Sequence, residues 1–333
     1  ESLDVDLTII GPEAPLAAGM ADEFRSRSLP VLGPSSGAAR LEGSKIFSKQ
    51  FMCRHGIPTA DFSVVESIDR LEESITKFSF PLALKADGLA AGKGVVIVRD
   101  KEEAREVGAA MLSGDVVGDA GRRLLVEQFL SGEEVSFIVL SDGQTFFEFP
   151  PSQDHKPVFD DDLGPNTGGM GAYCDSRILT EEERQYIKTT IVEKTLDGIR
   201  SEGYPFVGFL YCGLMMTEDG PQVLEYNVRM GDPETQPLMY RMTGDTGELF
   251  LSAAQGNLEH SVVDWNEEPT CCVVCASPGY PGTYPRGFHI SGIEEAESVG
   301  AKVFHAGTRF QEKKLVTEGG RVLGVTAGGQ NLA

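Results

Sequence analysis

Positive charge and long apolar runs are both scarce in this sequence. Its 29 lysines and arginines stand against 51 aspartates and glutamates, which gives a formal net charge of −22. A surface that binds nucleic acid needs a basic footprint, so this balance argues against a nucleic-acid partner. No run of about eighteen apolar residues occurs, which argues against a membrane span. Any phosphate site must therefore be made basic locally, by particular lysines, arginines and backbone N–H groups.

Cysteine is also sparse, with six residues in a chain of 333. A chain of this length can bury a core without disulfides, so a reducing compartment is expected and a cytoplasmic location is predicted. The acidic N-terminus leads straight into a strand-like segment and lacks the pattern of a signal peptide. Cys272 and Cys275 form a CxxC pair in a strand-like segment, where residues three apart face opposite sides. Because no second Cys or His pair completes a tetrahedral site, we interpret both as core cysteines.

A glycine-rich loop separates two apolar runs, at 81–84 and 95–98. The loop, 87–94, contains three glycines; Lys85 precedes it and Lys93 lies within it. Glycine lets a backbone approach a ligand closely, and lysine adds the charge that a polyphosphate needs. The strand–loop–strand pattern predicts a hairpin flap rather than a Walker A loop, which leads into a helix. Protein kinases and ATP-grasp ligases both use such a flap, and the absence of HRD and DFG motifs disfavours a kinase.

The segment before this loop predicts a parallel α/β unit followed by a long helix. A strand at 6–11, a helix at 14–28 and a strand at 29–32 are typical of such a unit. Glu13 then lies at the carboxyl end of a strand, where open α/β sheets bind ligands, although it can equally be a solvated loop carboxylate. In the helix expected over 35–54, Lys45 and Lys49 share a face, which alone most often indicates a solvated surface.

The middle of the chain contains a strand crossing and a long polar loop. A strand that ends at 127–130 and a second strand after Gly132 can present backbone groups to an adenine edge, with Glu134 placed to accept hydrogen bonds from a ribose. The alternative is that Glu127 and Glu134 are surface charges. The glycine-rich loop at 152–173 has apolar anchors, so we interpret it as a binding loop rather than a disordered one. Its His155 is by itself weak evidence for acid–base chemistry.

The strand predicted over 222–229 carries a polar face. Its two-residue period places Glu225, Asn227 and Arg229 on one side and the apolar residues between them, with Leu224, on the other. A carboxylate, an amide oxygen and a guanidinium on one face suit Mg²⁺ beside a phosphate, whereas the alternative is an exposed polar sheet face. A helix is expected over 234–254, and its N-terminus is a natural anion site. Short strands dominate from 270 onward.

Seven segments together resemble one enzyme family. In chain order they are GPEAPL, LEGSK, KADGLAAGKGV, SQDHK, GPNTGGMGAY, YNVRMGDPETQ and KVFHAGT. They are similar to glycinamide ribonucleotide synthetases (phosphoribosylamine–glycine ligases), which are ATP-grasp ligases of purine biosynthesis, and the resemblance extends over essentially the whole chain. Pro157 and Phe159 depart from the residues usual at those positions. The resemblance also suggests that the chain starts inside the N-terminal domain and ends before the family's C-terminus.

The resemblance implies an α/β fold of the ATP-grasp type in three parts. These are a partial parallel α/β N-terminal domain (1–44), a two-lobed ATP-grasp core (45–265) and a small β-rich C-terminal domain (266–333). The small lobe of the core, about 58–129, contains the flap. The resemblance further implies a monomer, with fusion to other purine-pathway enzymes as an option.

The implied reaction joins glycine to 5-phosphoribosylamine. ATP phosphorylates the glycine carboxylate, and the amine then displaces phosphate, with Mg²⁺ (or Mn²⁺) as the metal. Two alternatives stay open: another ATP-grasp carboxylate–amine ligase, and a nucleotide-binding module without catalysis.

The resemblance assigns a role to each of a set of residues. The catalytic residues are Arg229, Lys93 and Asp232. The ATP-binding residues are Lys45, Lys85, Gly88, Gly92, Lys93, Gly94, Glu127, Leu130 and Glu134. The substrate-binding residues are Glu13, Asp154, Asn166, Thr167, Gly168, Gly169, Asp232, Pro233, Glu234 and Thr235. The metal ligands are Glu225 and Asn227.

Overall fold

The computed structural model describes residues 5–88, 94–114, 118–161, 163–261 and 263–332. The helices are α1 (Glu13–Ala17), α2 (Met20–Ser26), α3 (Ser36–Gly43), α4 (Lys45–His55), α5 (Ile68–Ser74), α6 (Lys101–Leu112), α7 (Glu181–Ile187), α8 (Glu193–Ser201), α9 (Thr235–Arg241), α10 (Thr246–Gln255) and α11 (Ile293–Ser298). Within these ranges, no helix has the length and apolar character needed to cross a bilayer.

The strands are, in chain order, β1 (Thr8–Ile9), β2 (Val31–Leu32), β3 (Phe62–Val65), β4 (Leu82–Ala86), β5 (Val95–Val98), β6 (Leu124–Gln128), β7 (Glu133–Asp142), β8 (Phe146–Glu148), β9 (Ser152–Asp154), β10 (Pro157–Phe159), β11 (Leu163–Asn166), β12 (Gly171–Cys174), β13 (Val207–Thr217), β14 (Gly220–Asn227), β15 (Met242–Thr243), β16 (Asp264–Trp265), β17 (Thr270–Ala276), β18 (Lys302–His305), β19 (Thr308–Gln311), β20 (Lys314–Thr317) and β21 (Arg321–Gly328).

The N-terminal end is a small parallel α/β unit. β1 pairs in parallel with β2, as the sequence predicts. The single helix expected over 14–28 is wrong, because left-handed Gly19 (φ +85°) divides it into α1 and α2. The single helix expected over 35–54 is wrong: Ser44 is extended (φ −142°, ψ 111°) and separates α3 from α4. Its hydroxyl accepts the Phe47 N–H at 3.1 Å, and serine favours such a cap over a helix interior. Helix α4 therefore has an N-terminus of its own, at Lys45.

The small lobe is a four-stranded antiparallel sheet with two helices. Its strand order is β3–β6–β4–β5, and α5 and α6 pack against it around a core that includes Leu71, Leu84 and Met111. β4 and β5 pair with Lys85 opposite Val95, which confirms the predicted hairpin. Residues 89–93 of the flap lie outside the described residues.

The large sheet has the order β14–β13–β7–β9–β12–β17–β21–β18, with β8 also paired to β7. Alternate residues of β13 enter two cores on opposite faces. Leu210 packs in a core with Phe51 of α4, and Phe209 packs in a core with Leu249 of α10. Helices therefore cover both faces of the sheet at β13. The sheet passes from β12 into β17 through four paired residues and so continues into the C-terminal part of the chain.

Two further sequence expectations are wrong in the second half of the chain. The helix predicted over 234–254 is interrupted between α9 and α10, because Gly244 is left-handed (φ +90°) and Asp245 caps α10. Cys272 and Cys275 face opposite sides as predicted, but Cys275 is exposed and only Cys272 belongs to the core.

Strand β14 contains a bulge at Leu224. Gly213 lies opposite Glu225 and Leu214 lies opposite Val223, so Leu224 has no partner on β13. The extra residue breaks the two-residue period. The expectation that Leu224 faces away from Glu225 is therefore wrong, and Leu224 lies beside the cleft described next.

Candidate active site

An open cleft of about 890 Å³ lies where the small lobe, β14 and the N-terminal unit meet. The predicted site residues that line it are Glu13, Lys45, Lys85, Gly94, Glu127, Asp154, Thr167, Gly168, Glu225, Asn227, Arg229, Asp232, Glu234 and Thr235. Those that are described but do not line it are Gly88, Leu130, Glu134, Asn166, Gly169 and Pro233. Gly92 and Lys93 lie outside the described residues.

Two lysines share one carboxylate in the buried part of the cleft. Glu127 Oε2 lies 3.1 Å from Lys49 Nζ and 2.8 Å from Lys85 Nζ. Lys49 also donates to Thr59 Oγ1 (2.7 Å), and burial lowers its pKa to about 8, against the opposing effect of Glu127. Glu127 Oε1 is buried and has no hydrogen-bond partner among the described residues. This lysine–carboxylate–lysine cluster retains one net positive charge and one unused acceptor.

Lys45 lies at the start of α4, beside the base of the flap. Its Nζ donates to the Gly88 carbonyl at 3.2 Å. Asp87 at the flap base accepts from the Ser44 hydroxyl (2.8 Å) and the Ile46 N–H (3.2 Å), which ties the flap to the first turn of α4. No carboxylate within the described ranges forms an ion pair with Lys45, so its charge is available to a phosphate.

Glu225 and Asn227 at the end of β14 present two side-chain oxygens to the cleft. Burial alone would raise the pKa of Glu225, but the charges of Lys156, Lys85 and Lys45 hold it below its usual value, so the group is ionised. The described residues contain no group of three His, Cys, Asp or Glu side chains suited to a metal ion. A carboxylate and an amide oxygen suit Mg²⁺, which usually keeps waters and shares phosphate oxygens. The pair therefore fits a metal held jointly with a nucleotide.

Arg229 is held by carboxylates from the N-terminal part of the chain. Its Nε lies 3.1 Å from Glu13 Oε2 and its Nη2 lies 3.2 Å from Glu42 Oε1. Glu42 also accepts the Val228 N–H at 2.8 Å. Burial raises the pKa of Glu42 to about 7, although Arg229 opposes this shift. These contacts fix the guanidinium at the end of β14, next to Asn227.

Lys156 lies among acidic side chains on the large-sheet side of the cleft. Its Nζ is 2.8 Å from Glu134 Oε2 and 3.8 Å from Asp154 Oδ1. Burial would lower the pKa of Lys156, but Asp154, Glu134 and Glu225 together raise it, so Lys156 stays protonated. Its charge therefore offsets the carboxylates of Asp154, Glu134 and Glu225.

Glu234 lies just before α9 and is almost fully buried. Its Oε1 accepts from the Tyr211 hydroxyl (2.8 Å) and the Ser136 hydroxyl (3.2 Å). Burial raises the pKa of Glu234, and the charge of Asp154 adds to the effect. Glu234 is therefore anchored on the large sheet and fixes the turn that contains Asp232.

Several cleft residues are absent from the predicted site set, and the solvated surface expected for the face of Lys49 is wrong, because Lys49 is 2% exposed. Lys49, Glu42 and Lys156 have local signals: the four-residue spacing from Lys45, and the segments LEGSK and SQDHK. Tyr280 and Arg321 also line the cleft but come from the C-terminal part of the chain, and no local pattern indicates them.

Family models match three successive stretches of the chain. The N domain of phosphoribosylglycinamide synthetase matches residues 1–42, the ATP-grasp (A) domain matches 43–235 and the C domain matches 270–333. A phosphoribosylamine–glycine ligase of Yersinia pestis is 47% identical over 335 residues, which cover 100% of this chain and 78% of that protein. One from Escherichia coli is 48% identical over 331 residues, which cover 99% and 77%.

Solved structures agree with these matches. The crystal structure of phosphoribosylamine–glycine ligase from Thermotoga maritima superposes with a TM-score of 0.84 at 38% identity, covering 94% of this chain and 78% of that one. The biotin carboxylase domain of the Hydrogenobacter thermophilus 2-oxoglutarate carboxylase (TM-score 0.74, 18% identity, covering 99% and 71%) shares the fold alone. This chain thus has the α/β ATP-grasp fold and belongs to the phosphoribosylglycinamide synthetase family of ATP-dependent carbon–nitrogen ligases.

Proposed function

We propose that the cleft joins glycine to 5-phosphoribosylamine and forms glycinamide ribonucleotide, ADP and phosphate, a step of purine biosynthesis. The high identity to phosphoribosylamine–glycine ligases over nearly the whole chain supports this activity. The structural observation that carries it is the meeting, in one cleft, of the Lys45 ammonium, which has no ion-pair partner in the described ranges, with the side-chain oxygens of Glu225 and Asn227.

The reaction needs positioning and charge neutralisation rather than a protein nucleophile. The glycine carboxylate attacks the terminal phosphorus of ATP, which gives glycyl phosphate and ADP. The amine then attacks the acyl carbon, phosphate leaves, and the amide forms. Both steps concentrate negative charge on phosphoryl oxygens, and fixed positive groups stabilise that charge.

We assign the small-lobe side of the cleft to ATP. Lys45 and Lys85 contact its phosphates, and Glu127 holds Lys85 in place through the 2.8 Å ion pair. The unpartnered Glu127 Oε1 can accept from the adenine amine. The remaining proposed ATP contacts are Gly88, Gly92, Lys93 and Gly94 of the flap, with Leu130 and Glu134 beyond it.

Glu225 and Asn227 would hold the divalent cation, and Mg²⁺ or Mn²⁺ is the proposed metal. When bound, such an ion offsets phosphate charge. Arg229 stands next to this pair, with its guanidinium fixed by Glu13 and Glu42. We assign it to the transferred phosphoryl group.

We assign the opposite side of the cleft to glycine and 5-phosphoribosylamine. Asp232, in the turn before α9, and Thr235, its first residue, both line this side. The other residues proposed for this half are Glu13, Asp154, Asn166, Thr167, Gly168, Gly169, Pro233 and Glu234.

The test is ADP release by the purified chain with each reactant omitted in turn. We expect turnover only with glycine, the amine and Mg²⁺ together; equal release without the amine would refute a coupled ligase. Glu225→Gln should lower kcat about a hundredfold and change ATP binding less. Glu218→Gln, on the exposed turn of the same hairpin, is the matched control. Equal turnover of the two variants would remove Glu225 as a metal ligand.

We further propose the division into domains 1–44, 45–265 and 266–333, with the small lobe at about 58–129. A cytoplasmic location is proposed because all six cysteines are free thiols. A monomer is proposed for the oligomeric state, and fusion to other purine-pathway enzymes stays an option.

A further inference from the structure

The first residue of β21 contacts two loops at the edge of the cleft. Arg321 Nη1 donates to the carbonyls of Gly168 (2.6 Å) and Asp232 (2.8 Å), and Nη2 donates to Asp232 Oδ2 (3.0 Å). A longer contact from Nη1 reaches the Gly169 carbonyl at 3.4 Å. One guanidinium therefore joins the loop at 167–169 to the turn before α9. A planar group with several fixed donors suits this arrangement, whereas a lysine ammonium does not.

Tyr280 binds the N–H of Gly168, the glycine whose carbonyl Arg321 binds. Its hydroxyl accepts the Gly168 N–H at 3.1 Å. Its ring packs over Gly320, where an added Cβ would lie 2.3 Å from Tyr280 Cδ2. Ser277 anchors the preceding turn to the carbonyls of Gly319 and Gly320. The N–H and the carbonyl of Gly168 are thus both bound by side chains of the C-terminal part.

We propose that Arg321 and Tyr280 are positioning residues for the half of the cleft that receives glycine and 5-phosphoribosylamine. They keep Thr167 and Asp232 at a set separation, and that separation decides how well the two small substrates are aligned. The inference rests on the proposed function. It assigns part of the substrate selectivity to residues that neither touch ATP nor follow from a local motif.

The contacts of these two residues are confined to one side of the cleft. Among the described residues, no hydrogen bond or ion pair joins Arg321 or Tyr280 to Lys45, Lys85 or Glu127, which we assign to ATP. Because misplacement of a reacting group lowers the rate without changing a separate binding site, the two sides should respond differently. A general structural defect would instead affect both sides together.

The experiment measures ADP release by Arg321→Lys and Tyr280→Phe while glycine, the amine and ATP are varied in turn. We expect at least one of the two small substrates to show a KM raised about tenfold in both variants, while the KM of ATP stays within about twofold. Arg286→Lys and Tyr284→Phe are the matched controls. Arg286 forms an exposed ion pair with Glu318, and Tyr284 stacks edge-on against Tyr280. Unchanged small-substrate KM values, or an equal rise in the KM of ATP, would overturn the proposal.

A second readout does not depend on turnover. Amide hydrogen exchange should become faster at 167–169 in both variants and stay unchanged in β4. Unchanged exchange at 167–169 would overturn the positioning role even if the chain lacked ligase activity. If exchange at 167–169 became faster in a chain that releases no ADP, the positioning role would be supported and the proposed ligase activity would be refuted.

Discussion

Glu127→Gln tests the buried lysine–carboxylate–lysine cluster of the cleft. One oxygen of Glu127 receives both ammonium groups, and the side chains of Lys49 and Glu127 are each 2% exposed. Removing the partner of a buried charge costs about 3–5 kcal/mol, because the remaining charge stays desolvated. The hydrogen bonds from Lys49 to Thr59 and from Lys85 to the Leu224 carbonyl remain. We therefore expect a loss near the lower end, about 3 kcal/mol of the free energy of unfolding.

The pKa of Lys49 gives this variant a pH dependence. Burial lowers that pKa from 10.5 to about 8, while Glu127 opposes the shift. Between these values the unfolded chain binds more protons than the folded chain, so stability rises with pH in that window. The loss of folding stability caused by burying the charged Lys49 has its full size at pH values below the folded pKa. It disappears at pH values above the unfolded pKa. Without Glu127 the pKa of Lys49 falls further, so the deficit of the variant should shrink between about pH 7 and pH 9.

The assay is urea denaturation followed by far-UV circular dichroism at both pH values. The matched control is Glu23→Gln, which removes an ion pair to Arg27 whose side chains are each 60% exposed. Such surface pairs contribute about 0–1 kcal/mol, so the control should unfold close to the wild type. If the Glu127 variant matched the control at pH 7, or if its deficit grew with pH, the reasoning would be refuted.

Two further substitutions test the opposite side of the cleft. Lys156→Met removes the charge 2.8 Å from Glu134 and should lower kcat about a hundredfold, as measured by ADP release. Lys194→Met, which loses only an exposed contact to a backbone carbonyl, is its control, and equal rates for the two would contradict a role for the charge. Gly169→Ala places a Cβ 2.4 Å from Pro233 Cδ at φ +109° and should lower the melting temperature by several degrees. Gly203→Ala is the control: its Cβ would meet open space at φ +93°, so it measures the backbone strain alone, about 1–2 kcal/mol. Equal losses of stability in the two variants would show that the contact with Pro233 is unimportant.

The sequence predicted those parts of the fold that are determined by residues close together in the chain. The parallel strand–helix–strand unit and the hairpin β4–β5 follow from apolar runs and glycine-rich turns, and both are confirmed. The break at Ser44 was missed because a helical period continues on both sides of it. The local cap to the Phe47 N–H is reinforced by a contact of the Ser44 hydroxyl with Asp87, 43 residues away, which no local pattern reveals.

In the candidate site too, the sequence predicted contacts between neighbouring residues and missed contacts between distant ones. Glu225, Asn227 and Arg229 were found because a strand period places them together. The bulge at Leu224 precedes them and does not alter the spacing among the three. Arg321 was missed because its partners, Gly168 and Asp232, are 153 and 89 residues away in the chain. No window of the sequence contains both ends of such a contact. Glu127 was predicted as an adenine contact, and its ion pairs with Lys49 and Lys85 were not foreseen.

The two sides of the cleft differ mechanically. The large sheet runs without a break from β14 to β18, so relative movement of the C-terminal strands would require breaking the β12–β17 ladder. The small lobe has a sheet of its own, and the strand pairing between it and the large sheet in the described part of the chain is a single bridge, from Thr59 to Val223 of β14. Under the proposed assignment of the cleft, the half that receives glycine and 5-phosphoribosylamine is built on the continuous sheet, and the half that receives ATP is built on the separate one. On that assignment, a rigid-body shift of the small lobe would carry the nucleotide toward an acceptor whose position the continuous sheet already sets.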